Sequence, residues 1–193
     1  MNFLAHIYLS GDNEERMIGN FIADYVKGRK MYEYPDEIRK GIELHRKIDY
    51  FTDHHPITSR SKAPLRKKYR HYSGVLVDLF YDHFLAKNFP DYSGLLLKDY
   101  SLNTYEILSR RKSELPEGVQ HFLPFMIERN WLLSYASLEG INRVMTGLSK
   151  RVKFENRMDE AIYDLKAGYP AFEADFSEFF PELITFVEQQ SPE

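Results

Sequence analysis

From Asp12 to Gln189 the apolar residues of this chain recur every three or four positions, and only the first ten residues depart from that rhythm. A 3.6-residue period lines apolar side chains along one helix face, whereas a strand would need alternation. The fold expected is therefore all-α: a single all-helical domain over residues 1–193, built from seven to nine helices around one core. Asp12 or Asn13 caps a helix running to about Lys27, and Pro35-Asp36-Glu37 opens the next. Further helices are expected after Pro56, over Val75–Lys87, Leu95–Arg111, Glu117–Tyr135, Leu138–Arg151, Asn156–Ala167 and Phe172–Gln189. Pro90 to Gly94 reads as a turn.

Against that helical background, charged and imidazole groups stand out where apolar side chains belong. His45 and Asp49 lie one turn apart, and Asp53 continues the line. Asp78, Asp82 and His83 sit among Val77, Leu79, Phe80, Tyr81 and Phe84. Asp24 falls late in its helix, where the dipole disfavours a negative charge. His6 occupies an apolar segment. Each has an ordinary explanation taken singly: a His–Asp hydrogen bond, a neighbouring Lys27 or Arg29, a satisfied core histidine. Taken together they bring several carboxylates and imidazoles into apolar surroundings from three helices. Unpaired, each would cost several kcal/mol to bury, so a shared divalent cation is the economical explanation.

The chain has no cysteine. That excludes disulfides, zinc thiolates, iron–sulfur clusters and a cysteine nucleophile, and fits a cytoplasmic setting. Mixed nitrogen and oxygen donors suit Mn²⁺, Mg²⁺, Fe²⁺ or Zn²⁺. No apolar run is long enough for a membrane helix, and P-loop, G-x-S-x-G and H-E-x-x-H motifs are absent.

The net charge of −3 conceals two opposite regions. From Glu155 to Glu193 ten acidic residues face two basic ones. Arg60, Lys62, Arg66, Lys67, Lys68 and Arg70 form a dense basic run, which is either a solvated helix face or a docking surface for an acidic partner.

Met1-Asn2-Phe3-Leu4-Ala5-His6, Gly19-Asn20 with Ala23-Asp24-Tyr25-Val26-Lys27-Gly28, Gly41-Ile42 with His45-Arg46-Lys47-Ile48-Asp49 and Thr52-Asp53, and Asp82-His83-Phe84-Leu85-Ala86 occur in this order. In these stretches the chain resembles the acyl carrier protein phosphodiesterase family, a divergent branch of the helical HD-type metal phosphohydrolases. The resemblance implies an HD-domain-like fold. It implies hydrolysis of the phosphodiester joining 4′-phosphopantetheine to a serine of holo acyl carrier protein, with a divalent cation, manganese favoured. An adjacent His-Asp pair is missing here; Asp82-His83 stands in reversed order.

On that basis Asp24, His45, Asp49 and Asp82 are expected to hold the cation. His6, Asp53 and His83 are expected to orient the attacking water or protonate the leaving serine oxygen, and Arg46 to contact phosphate. Asp78 would orient a ligand imidazole. The basic run from Arg60 to Arg70 would steer the acidic carrier protein. Two alternatives stand beside this: a metal phosphohydrolase acting on a nucleotide or other small phosphoester, and a non-catalytic helical module that binds an acidic protein. Nucleic acid is not an expected partner, because no nucleic-acid motif accompanies the short basic run.

Overall fold

The computed structural model describes residues 2–190, and every regular element within them is helical. The helices are α1 (Phe3–Tyr8), α2 (Glu14–Ile22), α3 (Asp36–His54), α4 (Pro56–Tyr69), α5 (Tyr72–Lys87) and α6 (Phe89–Ser93). They continue with α7 (Leu97–Arg110), α8 (Glu117–Glu128), α9 (Trp131–Ser134), α10 (Leu138–Arg151), α11 (Ala161–Ala167) and α12 (Tyr169–Gln190). The excess over the expected number comes from short pieces. Phe3–Tyr8 is helical, and the Pro90 turn is a single-turn helix closed by Gly94. The segment expected as one helix from Glu117 to Tyr135 divides in two, because Asn130 adopts a left-handed conformation (φ 41°) and its side chain caps α9 through the Leu133 amide.

Asn13 starts α2 by accepting the Arg16 amide at 2.9 Å, with Glu14 and Glu15 at the positive end of the helix. This helix was expected to reach Lys27, but it ends at Ile22 and tightens into a 3₁₀ turn over Ala23–Tyr25. That turn carries Asp24 to the His45 side of α3.

Helices α2 and α3 touch backbone to backbone. A Cβ on Gly19 would collide with the Ile38 carbonyl, and one on Gly41 with the Arg16 carbonyl. Only glycine permits that approach. The consequence is positional: Asn20 follows Gly19, and His45 lies one turn beyond Gly41, so the two polar side chains meet across the helix crossing.

Helix α5 is apolar around most of its circumference and mostly buried, as such a composition requires. Its Phe80, Tyr81 and Phe84 are buried with Phe176, Phe179 and Phe180 of α12. Helix α12 also packs on α3 and α4. The aromatic richness is therefore largely core. Among the described residues no helix is long and apolar enough to cross a membrane.

Candidate metal centre

His6 of α1 and His45 of α3 are both buried, and their rings stack with centroids 3.9 Å apart and planes inclined by 15°. Asp49, one turn after His45, sits below the pair. Its carboxylate oxygens lie 3.2 Å from His6 Nε2 and 3.1 Å from His45 Nε2. Asp24 approaches His45 Nε2 to 3.4 Å from the solvent side. The ligand atoms of His6, His45 and Asp49 all fall within 4.8 Å of one another.

Asn20 fixes the orientation of His45. Nδ1–H of His45 donates to the Asn20 carbonyl oxygen at 2.9 Å and stands 3.2 Å from its side-chain oxygen. The Asn20 amide in turn donates to the His6 carbonyl oxygen and to Ser10 Oγ. With its proton committed at Nδ1, a neutral His45 turns the lone pair of Nε2 toward the carboxylates.

The charges are strongly coupled. Burial opposes a proton on His45, but Asp24 and Asp49 outweigh it and raise the imidazole to about 9. Burial, aided by the neighbouring His45 charge, lowers His6 to about 4. Burial would raise Asp49, yet its bonds to the two histidines hold it well below the usual carboxylate range. The His45 bond lowers Asp24 too. Two carboxylates thus recruit one positive charge.

A divalent cation fits this donor set. Both His6 nitrogens are buried without a hydrogen-bond partner; its Nε2 is close to Asp49 but not aligned as a bond. A buried neutral imidazole with an unused lone pair is costly in a purely structural role. It is what a metal ligand requires, as are the ionised carboxylates beside it. Asp24, His45 and Asp49 of the centre line a cleft together with Asn2, Thr52, Asp53, Asp78 and Leu148, with His6 buried behind them. Thr52 Oγ1 is likewise buried there without a partner.

The other expected residues lie in varied places. Asp53 is exposed at the cleft mouth. Half-buried Asp78 lines the cleft, and burial pushes its carboxyl up. Asp82, expected as a ligand, stands outside the converging group. Fully buried, it accepts the Leu4 amide at 2.9 Å and the Ala5 amide at 3.2 Å. It thereby caps α1, which carries His6. Burial raises Asp82 to about 7 against the pull of these two donors. His83, expected in catalysis, is fully engaged elsewhere: Nδ1–H donates to the Tyr135 carbonyl oxygen at 2.8 Å, and Nε2 accepts the Tyr169 hydroxyl at 2.9 Å. Arg46 donates to the Val26 carbonyl oxygen and approaches Met31 Sδ, bracing the segment after Asp24.

The basic run of α4 divides by direction. Arg60 pairs with Asp175 at 2.6 Å, and Lys68 with Asp164 at 2.9 Å and Glu160 at 3.2 Å. The acidic C-terminal region thus neutralises that side. Lys62 reaches back to Asp53, 3.6 Å from its carboxylate. Arg66, Lys67 and Arg70 are exposed and form no ion pair among the described residues. Asp53, Lys62, Arg66, Arg70 and His71 line a shallow groove that adjoins the cleft at Asp53. Asn20 and Thr52 fall within the stretches that carry the family resemblance, and their polar atoms on otherwise apolar helix faces are the signal that marks them in the sequence.

Fold and site together define an all-α protein in which two buried histidines and a half-exposed aspartate form a centre suited to a divalent cation, beside a basic groove. A family model described as acyl carrier protein phosphodiesterase matches residues 1–183. A protein named acyl carrier protein phosphodiesterase from Photorhabdus laumondii is 30% identical, over 98% of this chain and 96% of its own length. One of the same name from Escherichia coli O6:H1 is 30% identical over 95% of this chain and 96% of its own. No solved structure matches. The chain belongs to the acyl carrier protein phosphodiesterase family.

Proposed function

We propose that this chain is a cytoplasmic, divalent-cation-dependent phosphodiesterase that cleaves the bond between 4′-phosphopantetheine and a serine of holo acyl carrier protein. The single observation that carries this is the stacked His6–His45 pair converging with Asp49, where His45 and Asp49 line an open polar cleft. Family membership and the names of the relatives support the substrate. The donors would be His6, His45 and Asp49, with Asp24 within reach, and Mn²⁺ is the favoured ion, Mg²⁺ and Fe²⁺ being compatible. When bound, the cation lowers the pKa of water and offsets charge developing on the phosphoryl oxygens. Mixed His/Asp donors on helices are in keeping with a divergent HD-type centre.

This chain's residues do the rest. Asn20 holds His45 in the tautomer that offers Nε2, and Asp82 holds the helix that presents His6. Asp53, exposed at the mouth, is placed to receive a proton from the attacking water as the phosphorus–serine oxygen bond breaks. The serine oxygen gains its proton from solvent, leaving apo carrier protein and 4′-phosphopantetheine. Lys62, Arg66, Lys67 and Arg70 would receive the acidic carrier protein beside that mouth. Arg60 and Lys68 would instead support α4 through their acidic partners.

Incubation with holo acyl carrier protein and Mn²⁺, followed by mass spectrometry, tests this. Loss of the phosphopantetheine mass is expected. An unchanged carrier mass with Mn²⁺, Mg²⁺ and Fe²⁺ in turn would overturn it.

A further inference from the structure

A second cavity neighbours the metal cleft and shares no wall residue with the basic groove. It lies between α1, α9 and α10, with walls from Phe3, Trp131, Tyr135, Val144 and Leu148. Asn2 and Leu148 line both this cavity and the metal cleft, so the two are direct neighbours. Three features are therefore linked through shared wall residues. The basic groove meets the cleft at Asp53, and the cleft meets the apolar cavity at Asn2 and Leu148.

The order matches the chemistry of the substrate proposed above, and the inference rests on that function. In holo carrier protein one side of the phosphodiester bears an acidic protein. The other bears pantetheine, whose first unit is a branched hydroxy acid amide with two methyl groups on one carbon. If the protein lies on the basic groove and the phosphorus at the cation, the pantetheine arm is directed toward Asn2 and Leu148. We propose that the cavity between α1, α9 and α10 is the subsite for this proximal, gem-dimethyl part of the arm.

The cavity chemistry suits that occupant. Its walls are mainly apolar, as the methyl groups require. Polar contacts stand among them: Asn2 Nδ2 lies 3.4 Å from the Tyr135 hydroxyl, and Arg143 and Arg151 line the cavity. These can serve the arm's hydroxyl and amide groups. The cavity measures about 170 Å³. That compares with the ~150 Å³ that accommodates a benzene ring in an engineered protein cavity, enough for one branched unit rather than the whole arm. Trp131 is braced on one side by Phe122, stacked at 6.0 Å, and by Arg151, whose guanidinium stands 5.9 Å from its ring centroid. An aromatic wall held in this way is pre-organised for an apolar ligand.

Trp131 is the only tryptophan in the chain, which makes its emission a direct report on the cavity. Titration of the Mg²⁺-loaded protein with 4′-phosphopantetheine is expected to shift Trp131 emission saturably, whereas inorganic phosphate is not. A Cβ on Gly147 would point into open space, and Gly147 lines the cavity. Gly147→Leu should therefore fill the cavity without straining the fold, and replacing a helical glycine favours the helix. It is expected to weaken the emission response and raise KM for holo carrier protein by about tenfold or more, with Mn²⁺ affinity retained. Trp131→Ala should raise the same KM; its folding is checked by circular dichroism.

Hydrolysis of holo carrier protein by the wild type is measured in parallel. If it proceeds while emission ignores 4′-phosphopantetheine and Gly147→Leu leaves KM unchanged, the subsite is overturned and the function stands. Equal emission responses to phosphate and 4′-phosphopantetheine would also overturn the subsite. Absence of hydrolysis, together with absence of an emission response, removes both.

Discussion

Two buried histidine sites in this molecule have opposite hydrogen-bond bookkeeping. At His83 both ring nitrogens are used, one by the Tyr135 carbonyl and one by the Tyr169 hydroxyl. At the α1–α3 site His45 is oriented from behind by Asn20, while His6 has neither nitrogen in a hydrogen bond. Both sites pair imidazole with a nearby aspartate in sequence. What separates a structural histidine from a candidate ligand here is the unused lone pair facing carboxylates.

Breaking the first site should cost the most. His45→Ala or His6→Ala is expected to reduce hydrolysis of holo carrier protein by ~100-fold or more in steady-state assays, because a cation ligand is lost. Asn20→Ala leaves the ligands in place but frees the His45 ring, and should cost about 10–100-fold in metal affinity or rate.

Stability changes come next. Gly41→Ala forces a methyl group against the Arg16 carbonyl and should lower unfolding free energy by about 1–3 kcal/mol in denaturant titrations, with activity falling as α2 and α3 part. At the second site, His83→Gln should cost ~1–3 kcal/mol through imperfectly satisfied buried groups while metal binding persists.

A pH effect sharpens the same contrast. Burial lowers the His83 pKa, helped by the Lys87 charge and opposed by the Tyr135 bond. The native state therefore binds fewer protons there than the unfolded chain. The stability tied to neutral His83 is fully present above the unfolded value of ~6.5 and is lost as pH falls through the lower native value. Chemical denaturation across that window should show a weaker pH dependence in His83→Gln than in wild type. The smallest effect expected is at α4. Reversing Arg66 and Lys67 should raise KM several-fold, an effect that fades with salt. Reversing Lys68 should act mainly on stability, because Asp164 loses its cation, whereas Glu160 keeps Arg157.

The helices were legible because a 3.6-residue period depends only on local spacing. His45 and Asp49 were legible together for the same reason, since four residues on one helix fix a common face. The rest depends on which helices meet. The Gly19–Gly41 contact brings Asn20 to His45 through backbone proximity that no periodicity encodes. Asp82 looks like a ligand in sequence, but its oxygens receive two amides from α1, 78 and 77 residues away along the chain. The basic run looked uniform. Arg60 and Lys68 turned out to face the acidic C-terminal helices, while Arg66, Lys67 and Arg70 face outward. The division of Glu117–Tyr135 at Asn130 required a left-handed residue that helical patterning does not announce.

The proposed cation site consists of His6, His45 and Asp49, with no contribution from His83. Isothermal titration of Mn²⁺ into wild type, His6→Ala and His83→Gln tests this without reference to any substrate. Saturable binding in wild type and His83→Gln, with loss in His6→Ala, is the predicted result. Binding as tight in His6→Ala as in wild type, or no binding to wild type at all, would contradict it.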